Sequence, residues 1–448
     1  MVERLVVIGG DAGGMAAASQ ARRRRPDMEI VALEMGRWTS YSACGIPYLV
    51  GGEVAEMDDL IARTPQQFRD NFRIDVRLRS EAMSIDTAKQ QVEVRDHEHD
   101  RTYTIGYDNL HIGTGSVPMR PPLPGIDGPD VHGVQNLEDA SRLLEAMRTR
   151  DVKRVVVVGG GYIGLEMAEA FLNQGAEVTV VTATPQPMST LDEDMGALVA
   201  DAMRSHGIDV HCNERVVSFE PGAVHTSTGE TLPADLVILG TGVAPNSRIA
   251  EEAGIATGHR GAIKVDRRQR TSVPNVWAAG DCCESFHRVT GEHIHVALGT
   301  VANKQGRVAG INLGGGYATF PGVVGTAVTK LCALEVARTG VTEREAIATG
   351  FEYVAVTVDS TTRAGYYPGS EPIKIKLLAE RGSGHLLGAQ ILGHEGAAKR
   401  IDVLATALTA QMTVEEMTAL DLSYAPPFSP VWDPVLIAAR KAAEALTG

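Results

Sequence analysis

Two glycine-rich turns, each set between a short β-branched strand and a helical stretch, constrain this chain more than any other feature. The first leads from Leu5-Val6-Val7-Ile8 through Gly9-Gly10-Asp11-Ala12-Gly13-Gly14 into an alanine-rich stretch, Met15 to Arg25. The second leads from Arg154–Val158 through Gly159-Gly160-Gly161-Tyr162-Ile163-Gly164 into Leu165–Asn173, with a further strand at Glu177–Val181. Strand, glycine turn and helix open a βαβ dinucleotide-binding unit. Glycine lets the backbone turn sharply and approach a diphosphate, which then sits on the helix N-terminus. The second loop is a complete G-x-G-x-x-G, whereas the first has Asp11 in place of the middle glycine. A strand at Glu29–Leu33 ends in Glu34, twenty residues past Gly14, where an acid that holds ribose hydroxyls belongs.

Two such units in one chain predict two dinucleotides, FAD on the first and NADH or NADPH on the second. Gly9, Gly10, Gly13, Gly14 and Glu34 are the expected flavin contacts, and Gly159, Gly161, Tyr162, Ile163 and Gly164 the expected nicotinamide contacts. After Val181 stands Thr182, neither an acid for the NADH ribose nor an arginine for a 2′-phosphate. The expected donor is NADPH, or either nucleotide. Ile112-Gly113-Thr114-Gly115-Ser116 and Leu239-Gly240-Thr241-Gly242 each follow a strand-like run and precede a proline-containing linker. They read as crossings between two cofactor domains, which puts Thr114, Gly115 and Gly242 beside the cofactors. Val276–Asp281 is a strand ending in Gly-Asp, suited to set the Asp281 carboxylate and a helix N-terminus against the sugar-like chain of a flavin. A helix is expected over Ala297–Gly310. From about Phe320 the texture changes to strands at Tyr353–Val358, Ile373–Leu378 and Leu386–Ile391, then a helical pattern over Lys399–Met412.

The expected class is therefore α/β, with two Rossmann-like domains and a C-terminal α+β domain for dimer contact. Residues 1–117 and 245–320 form the FAD domain, 118–244 the NAD(P) domain and 321–448 the dimerisation domain. Net charge of −14 argues against nucleic acid or an anionic membrane as partner. Five cysteines (44, 212, 282, 283 and 332) are odd in number and lack C-x-x-C spacing, so neither a metal site nor a disulfide framework is expected. No run reaches the ~18 apolar residues of a membrane span and no signal peptide is visible, which predicts a cytoplasmic protein. His97 and His99 read as a solvated hairpin tip, and Cys282 with Cys283 as packing residues.

Cys44 stands apart, in Ser40-Tyr41-Ser42-Ala43-Cys44-Gly45-Ile46-Pro47. Pro47 suits the first turn of a helix, which would put Cys44 at its positive end and favour thiolate.

With both units, the Gly-Asp segment and the C-terminal domain, the chain resembles the pyridine nucleotide–disulfide oxidoreductases over residues 1–448. The resemblance implies a glutathione reductase-like fold and a homodimer. Most disulfide reductases of that superfamily carry C-x-x-x-x-C beside the flavin, but here Leu49 takes the second position. Ser40 to Cys44 is similar to the S-F/Y-x-x-C signature of the single-cysteine branch, which holds CoA-disulfide reductases, CoA persulfide reductases, and NADH oxidases and peroxidases. The oxidases and peroxidases have a histidine where this chain has Ala12. Ala18–Arg23 resembles the CoA-contacting segment of CoA-disulfide reductases, which implicates Gln20 and Arg23, with Ser40, at the substrate. Ala364–Gly369 and Ser423–Pro427 resemble two tyrosine motifs that reach the partner subunit's cysteine, which implicates Tyr366 and Tyr424 in catalysis with Cys44. Ala43 departs from the asparagine that precedes cysteine in the CoA-disulfide reductases. The implied chemistry is reduction of CoA disulfide or CoA persulfide, with Cys44 forming a mixed disulfide with coenzyme A. A second class stays open: an NAD(P)H oxidase or redox-sensing flavoprotein in which Cys44 cycles through sulfenic acid.

Overall fold

The computed structural model describes residues 2–447. Two five-stranded parallel sheets and one five-stranded antiparallel sheet organise the chain. In the first, the spatial order is Val276–Ala278, Asn109–Ile112, Arg4–Ile8, Glu29–Leu33, Ile74–Arg77. Leu5, Val6 and Val7 are wholly buried on successive faces, as required of a parallel strand covered on both sides. The carboxyl ends of its strands release Gly9, Glu34, Gly113 and Ala279 along one edge, where an open α/β sheet forms its ligand crevice.

Helices Ala12–Arg24 and Gly299–Leu313 cross that sheet in close contact. The approach depends on Gly306 and Gly310, where a Cβ would collide with the carbonyls of Gly13 and Ala17. The second parallel sheet has the order Asp209–His211, Glu177–Val181, Arg154–Val158, Leu236–Leu239, Val131–His132. The two crossings pair with each other: Ser116–Pro118 runs antiparallel to Val243–Pro245.

The C-terminal sheet is antiparallel, in the order Ala327–Leu331, Leu334–Gly340, Leu386–Gly393, Pro372–Glu380, Tyr353–Thr361. Helices Ile401–Ala410 and Pro434–Thr447 bury their apolar faces on it. A polar clasp ties this domain to the second dinucleotide unit. The Lys376 ammonium, almost fully buried, lies 3.2 Å from Asp192, 2.8 Å from Asp194 and 2.5 Å from Glu343. The Gln390 amide accepts from Asp192 N–H at 2.8 Å and donates to its carboxylate at 2.6 Å. Among the described residues no helix is long and apolar enough to cross a membrane.

Candidate active site

The two glycine loops have one geometry. Gly9 and Gly159 take φ of +103° and +110°, and a Cβ on either would strike the carbonyl of a crossing glycine, Gly113 or Gly240. Gly14 and Gly164 each press against the carbonyl of the loop's first glycine. A Cβ on Gly161 would meet nothing within 4 Å, which leaves the second loop an open cradle at the start of helix Tyr162–Asn173. These features fit a dinucleotide diphosphate at each loop. The Glu34 carboxylate accepts from Gly10 N–H and Gly36 N–H, both at 2.7 Å, and burial raises its pKa. Gly13 lies against Ala279 and Gly280, and Asp281 accepts from the Ser116 hydroxyl at 3.2 Å. Burial raises the Asp281 carboxyl. The carbonyls of Thr114 and Gly115 accept from the Asn246 side chain and backbone at 3.2 and 2.9 Å. Gly242 turns at φ +89° and accepts from Met119 N–H at 2.9 Å.

In the second unit, Tyr162 and Ile163 open the helix, with the Tyr162 phenol raised by burial and facing Thr190. Thr182 is buried and its hydroxyl lies 2.8 Å from that of Thr184, so the end of Glu177–Val181 offers hydroxyls and no charge.

The cysteine segment is fastened to the first loop by three successive residues. The Thr39 hydroxyl and the Ser40 N–H both donate to the carbonyl of Gly10, the latter at 2.9 Å, and Tyr41 N–H donates to Asp11 Oδ1 at 3.2 Å. Ser40 holds φ +51°, a left-handed conformation that costs a non-glycine residue of the order of 1 kcal/mol. Cys44 follows on the 3-10 turn Ala43–Gly45, solvent-accessible, just before helix Ile46–Val50 with Pro47 in its first turn.

The expected thiolate-favouring environment is not what these residues build. Partial burial pushes the Cys44 thiol up, and Glu166, Asp281 and Asp11 push it further in that order. A five-residue helix supplies too little dipole to offset three carboxyl groups. Glu166 was not singled out from sequence. It reaches the site because helix Ile46–Val50 packs on helix Tyr162–Asn173, with Gly51 against Ala170. A glutamate one turn past a glycine loop was the available signal.

The four arginines at 22–25 divide sharply. Arg22 is buried and donates to the carbonyls of Phe72, Arg25, Pro26 and Arg73 at 2.8 to 3.2 Å. Arg25 pairs with Glu3 at 3.0 Å and Asp27 at 3.2 Å. Arg23 is exposed and has no ion pair or hydrogen bond among the described residues, and Gln20 lies on the same helix, half-buried against Gly310.

The two tyrosine motifs meet on the C-terminal domain. Ala364 N–H donates to the carbonyl of Pro426 at 3.1 Å, and the Arg400 guanidinium bridges the carbonyls of Thr362 and Phe428, both at 2.8 Å. Desolvation and a hydrogen bond with Tyr366 raise the Tyr424 phenol. Tyr366 is 78 % exposed and Tyr424 47 %, beside exposed Phe428, Val431 and Trp432. Among the described residues no hydrogen bond joins either tyrosine to the Cys44 segment of the same chain. His97 and His99 sit at a hairpin turn facing Glu81 and Asp96, and Cys282 and Cys283 are buried free thiols.

Comparison with known proteins places this arrangement. The pyridine nucleotide-disulphide oxidoreductase family matches residues 3–306, and its dimerisation domain matches residues 326–434. The chain is 38 % identical over 443 residues to a Pyrococcus furiosus protein named NAD(P)H sulfur oxidoreductase (CoA-dependent), covering 98 % of each. It is 31 % identical to a coenzyme A disulfide reductase of Staphylococcus haemolyticus, covering 96 % of each. The crystal structure of reduced Bacillus anthracis CoADR-RHD superposes with a TM-score of 0.98 at 35 % identity, covering 100 % of this chain and 81 % of that one. The chain therefore belongs to the pyridine nucleotide-disulphide oxidoreductases.

Proposed function

We propose that this chain is an FAD-dependent NAD(P)H oxidoreductase that reduces CoA disulfide or CoA persulfide through Cys44. The observation that carries the reading is an accessible cysteine tied by Thr39, Ser40 and Tyr41 to the first glycine loop, with no second cysteine in its segment. One thiol suffices when the substrate brings the other sulfur. The Cys44 thiolate attacks a CoA-bearing sulfur of the substrate, CoA thiolate leaving from the disulfide or hydrosulfide from the persulfide, and Cys44 is held in a mixed disulfide with coenzyme A. Bound FAD supplies the two-electron relay from NAD(P)H that frees the second thiol and restores Cys44. Gly9, Gly10, Gly13, Gly14, Glu34, Thr114, Gly115 and Asp281 hold the flavin. Gly159, Gly161, Tyr162, Ile163, Gly164, Thr182 and Gly242 hold the nicotinamide nucleotide, and the uncharged Thr182 supports use of both NADH and NADPH.

The domains follow as 1–117 with 245–320, 118–244 and 321–448, in a cytoplasmic homodimer. The exposed patch of Tyr366, Tyr424, Phe428 and Trp432 supports a partner subunit on that face. There Tyr424 and Tyr366 of the partner subunit protonate the leaving thiolate; a phenol of raised pKa keeps its proton at neutral pH. Gln20, Ser40 and the unpaired Arg23 receive the CoA, guanidinium being suited to its phosphates.

Steady-state rates with CoA disulfide, CoA persulfide and oxygen, each with NADH and NADPH, test the reading. Turnover of a CoA substrate exceeding the oxygen rate by at least about tenfold, and lost in Cys44→Ser, is expected. An oxygen rate that dominates and survives in Cys44→Ser would instead make the chain an oxidase.

A further inference from the structure

We propose that Asp11 contacts the diphosphate of the flavin nucleotide as a neutral carboxylic acid, so that FAD is taken up together with one proton. The inference rests on the FAD reading above and concerns a residue that reading leaves without a role.

The chain contains its own control. Because the two glycine loops share one geometry, Asp11 of the first occupies the position of Gly161 in the second. At Gly161 a side chain would project into the open cradle, touching nothing within 4 Å. The first loop puts a carboxyl group into the equivalent space. Asp11 is the N-cap residue of helix Ala12–Arg24, yet its side chain makes no capping bond, and that helix has no acid in its first turn. The terminal N–H groups are thus left for an anion. Meanwhile Oδ1 is occupied by Tyr41 N–H at 3.2 Å, which fixes the orientation of the carboxyl group.

The surroundings oppose a second negative charge. Burial is the main cause that raises Asp11 to about 6, outweighing the N–H groups of Tyr41 and Ala12, which lower it, and Glu34 and Asp281 raise it further. The other titratable groups facing it are Tyr41 and Cys44, both themselves raised, and among the described residues no ion pair reaches Asp11. An anionic diphosphate laid on the helix N-terminus acts in the same direction. Asp11 then keeps its proton and donates it to a phosphate oxygen, an O–H···O⁻ bond of the charge-assisted kind, with Oδ1 still accepting from Tyr41. The proton comes from solvent.

Below about pH 6 the free protein already carries the proton, and FAD affinity is flat. Above it, each FAD bound draws one proton, and affinity falls about tenfold per pH unit. Glu34 and Asp281 also have raised pKa values, but they keep their partners Gly10, Gly36 and Ser116 in any Asp11 variant. The difference between wild type and Asp11→Asn therefore isolates Asp11.

Holoenzyme is diluted across the range from about pH 6 to pH 8, and FAD release is read from recovery of flavin fluorescence, for wild type and Asp11→Asn. The proposal expects dissociation constants that rise with pH in the wild type and stay near-flat in Asp11→Asn, which holds FAD more tightly than wild type at the alkaline end. Calorimetric FAD binding to wild type, in two buffers of different ionisation enthalpy, should report uptake of close to one proton near pH 7, and does not depend on the variant folding. A flat wild-type profile without proton uptake, or an equal slope in Asp11→Asn, would overturn the proposal. Purified protein with no affinity for FAD at any pH would overturn the cofactor reading itself.

Discussion

The Thr329 hydroxyl donates to Glu166 Oε1 at 2.9 Å, so a residue of the C-terminal sheet holds the carboxyl group that most strongly opposes ionisation of Cys44. Glu166 is itself raised by burial. Replacing Glu166 by Gln removes that charge and keeps an acceptor for Thr329. The midpoint of Cys44 alkylation against pH should move to lower pH, by of the order of half a unit to one unit. An unchanged midpoint would show that the Glu166 charge does not reach the thiol.

Arg22 and Arg23 are adjacent and should behave oppositely. Arg22→Ala leaves four backbone carbonyls without their donor and should cost about 2–4 kcal/mol of stability by urea denaturation. Arg23→Ala should leave stability unchanged and raise KM for CoA substrates about tenfold, with KM for NAD(P)H unaltered, since one lost charge-assisted contact is worth roughly that factor. Equal KM values in Arg23→Ala and wild type would remove Arg23 from the CoA site.

The close crossing of the two helices over the first sheet predicts a steric result. Gly310→Ala drives a methyl group into the carbonyl of Ala17 and should destabilise by about 1–3 kcal/mol. Gly299→Ala on the same helix meets nothing within 4 Å and is the control. Thermal midpoints of the two variants separate packing from helix propensity.

His111 lies fully buried in strand Asn109–Ile112 with neither ring nitrogen in a well-formed hydrogen bond, and burial lowers it to about 4. A pKa lowered by folding stabilises the protein above the unfolded value of about 6.5, and that contribution is lost as pH falls towards 4. It is of the order of 3 kcal/mol. His111→Val should therefore lose less stability than wild type between those two pH values. Parallel denaturation curves for the two proteins across that window would contradict this.

Much of the scaffold was legible because it depends on local chemistry. Gly9, Gly14, Gly159 and Gly164 are needed wherever backbone meets backbone, and the valine runs before them can only be buried parallel strands. The motifs around Cys44, Gln20, Tyr366 and Tyr424 led to the family for the same reason. What escaped was contact between residues far apart in sequence. The Cys44 thiol is raised first by burial and then by Glu166, Asp281 and Asp11, drawn from three separate elements. Nothing local in the sequence sets Arg22 apart from its three arginine neighbours, because its acceptors Phe72 and Arg73 lie 50 and 51 residues away. The Lys376 clasp with Asp192, Asp194 and Glu343 has no sequence pattern at all, since its members are brought together only by docking of two domains.

During turnover Cys44 holds coenzyme A as a mixed disulfide, and intact-protein mass spectrometry of enzyme treated with CoA disulfide reads that bond. One CoA adduct per chain is expected, mapped to Cys44, absent in Cys44→Ser and discharged by NADH or NADPH. An adduct that forms equally in Cys44→Ser, or one on Cys44 that NAD(P)H fails to release, would contradict it.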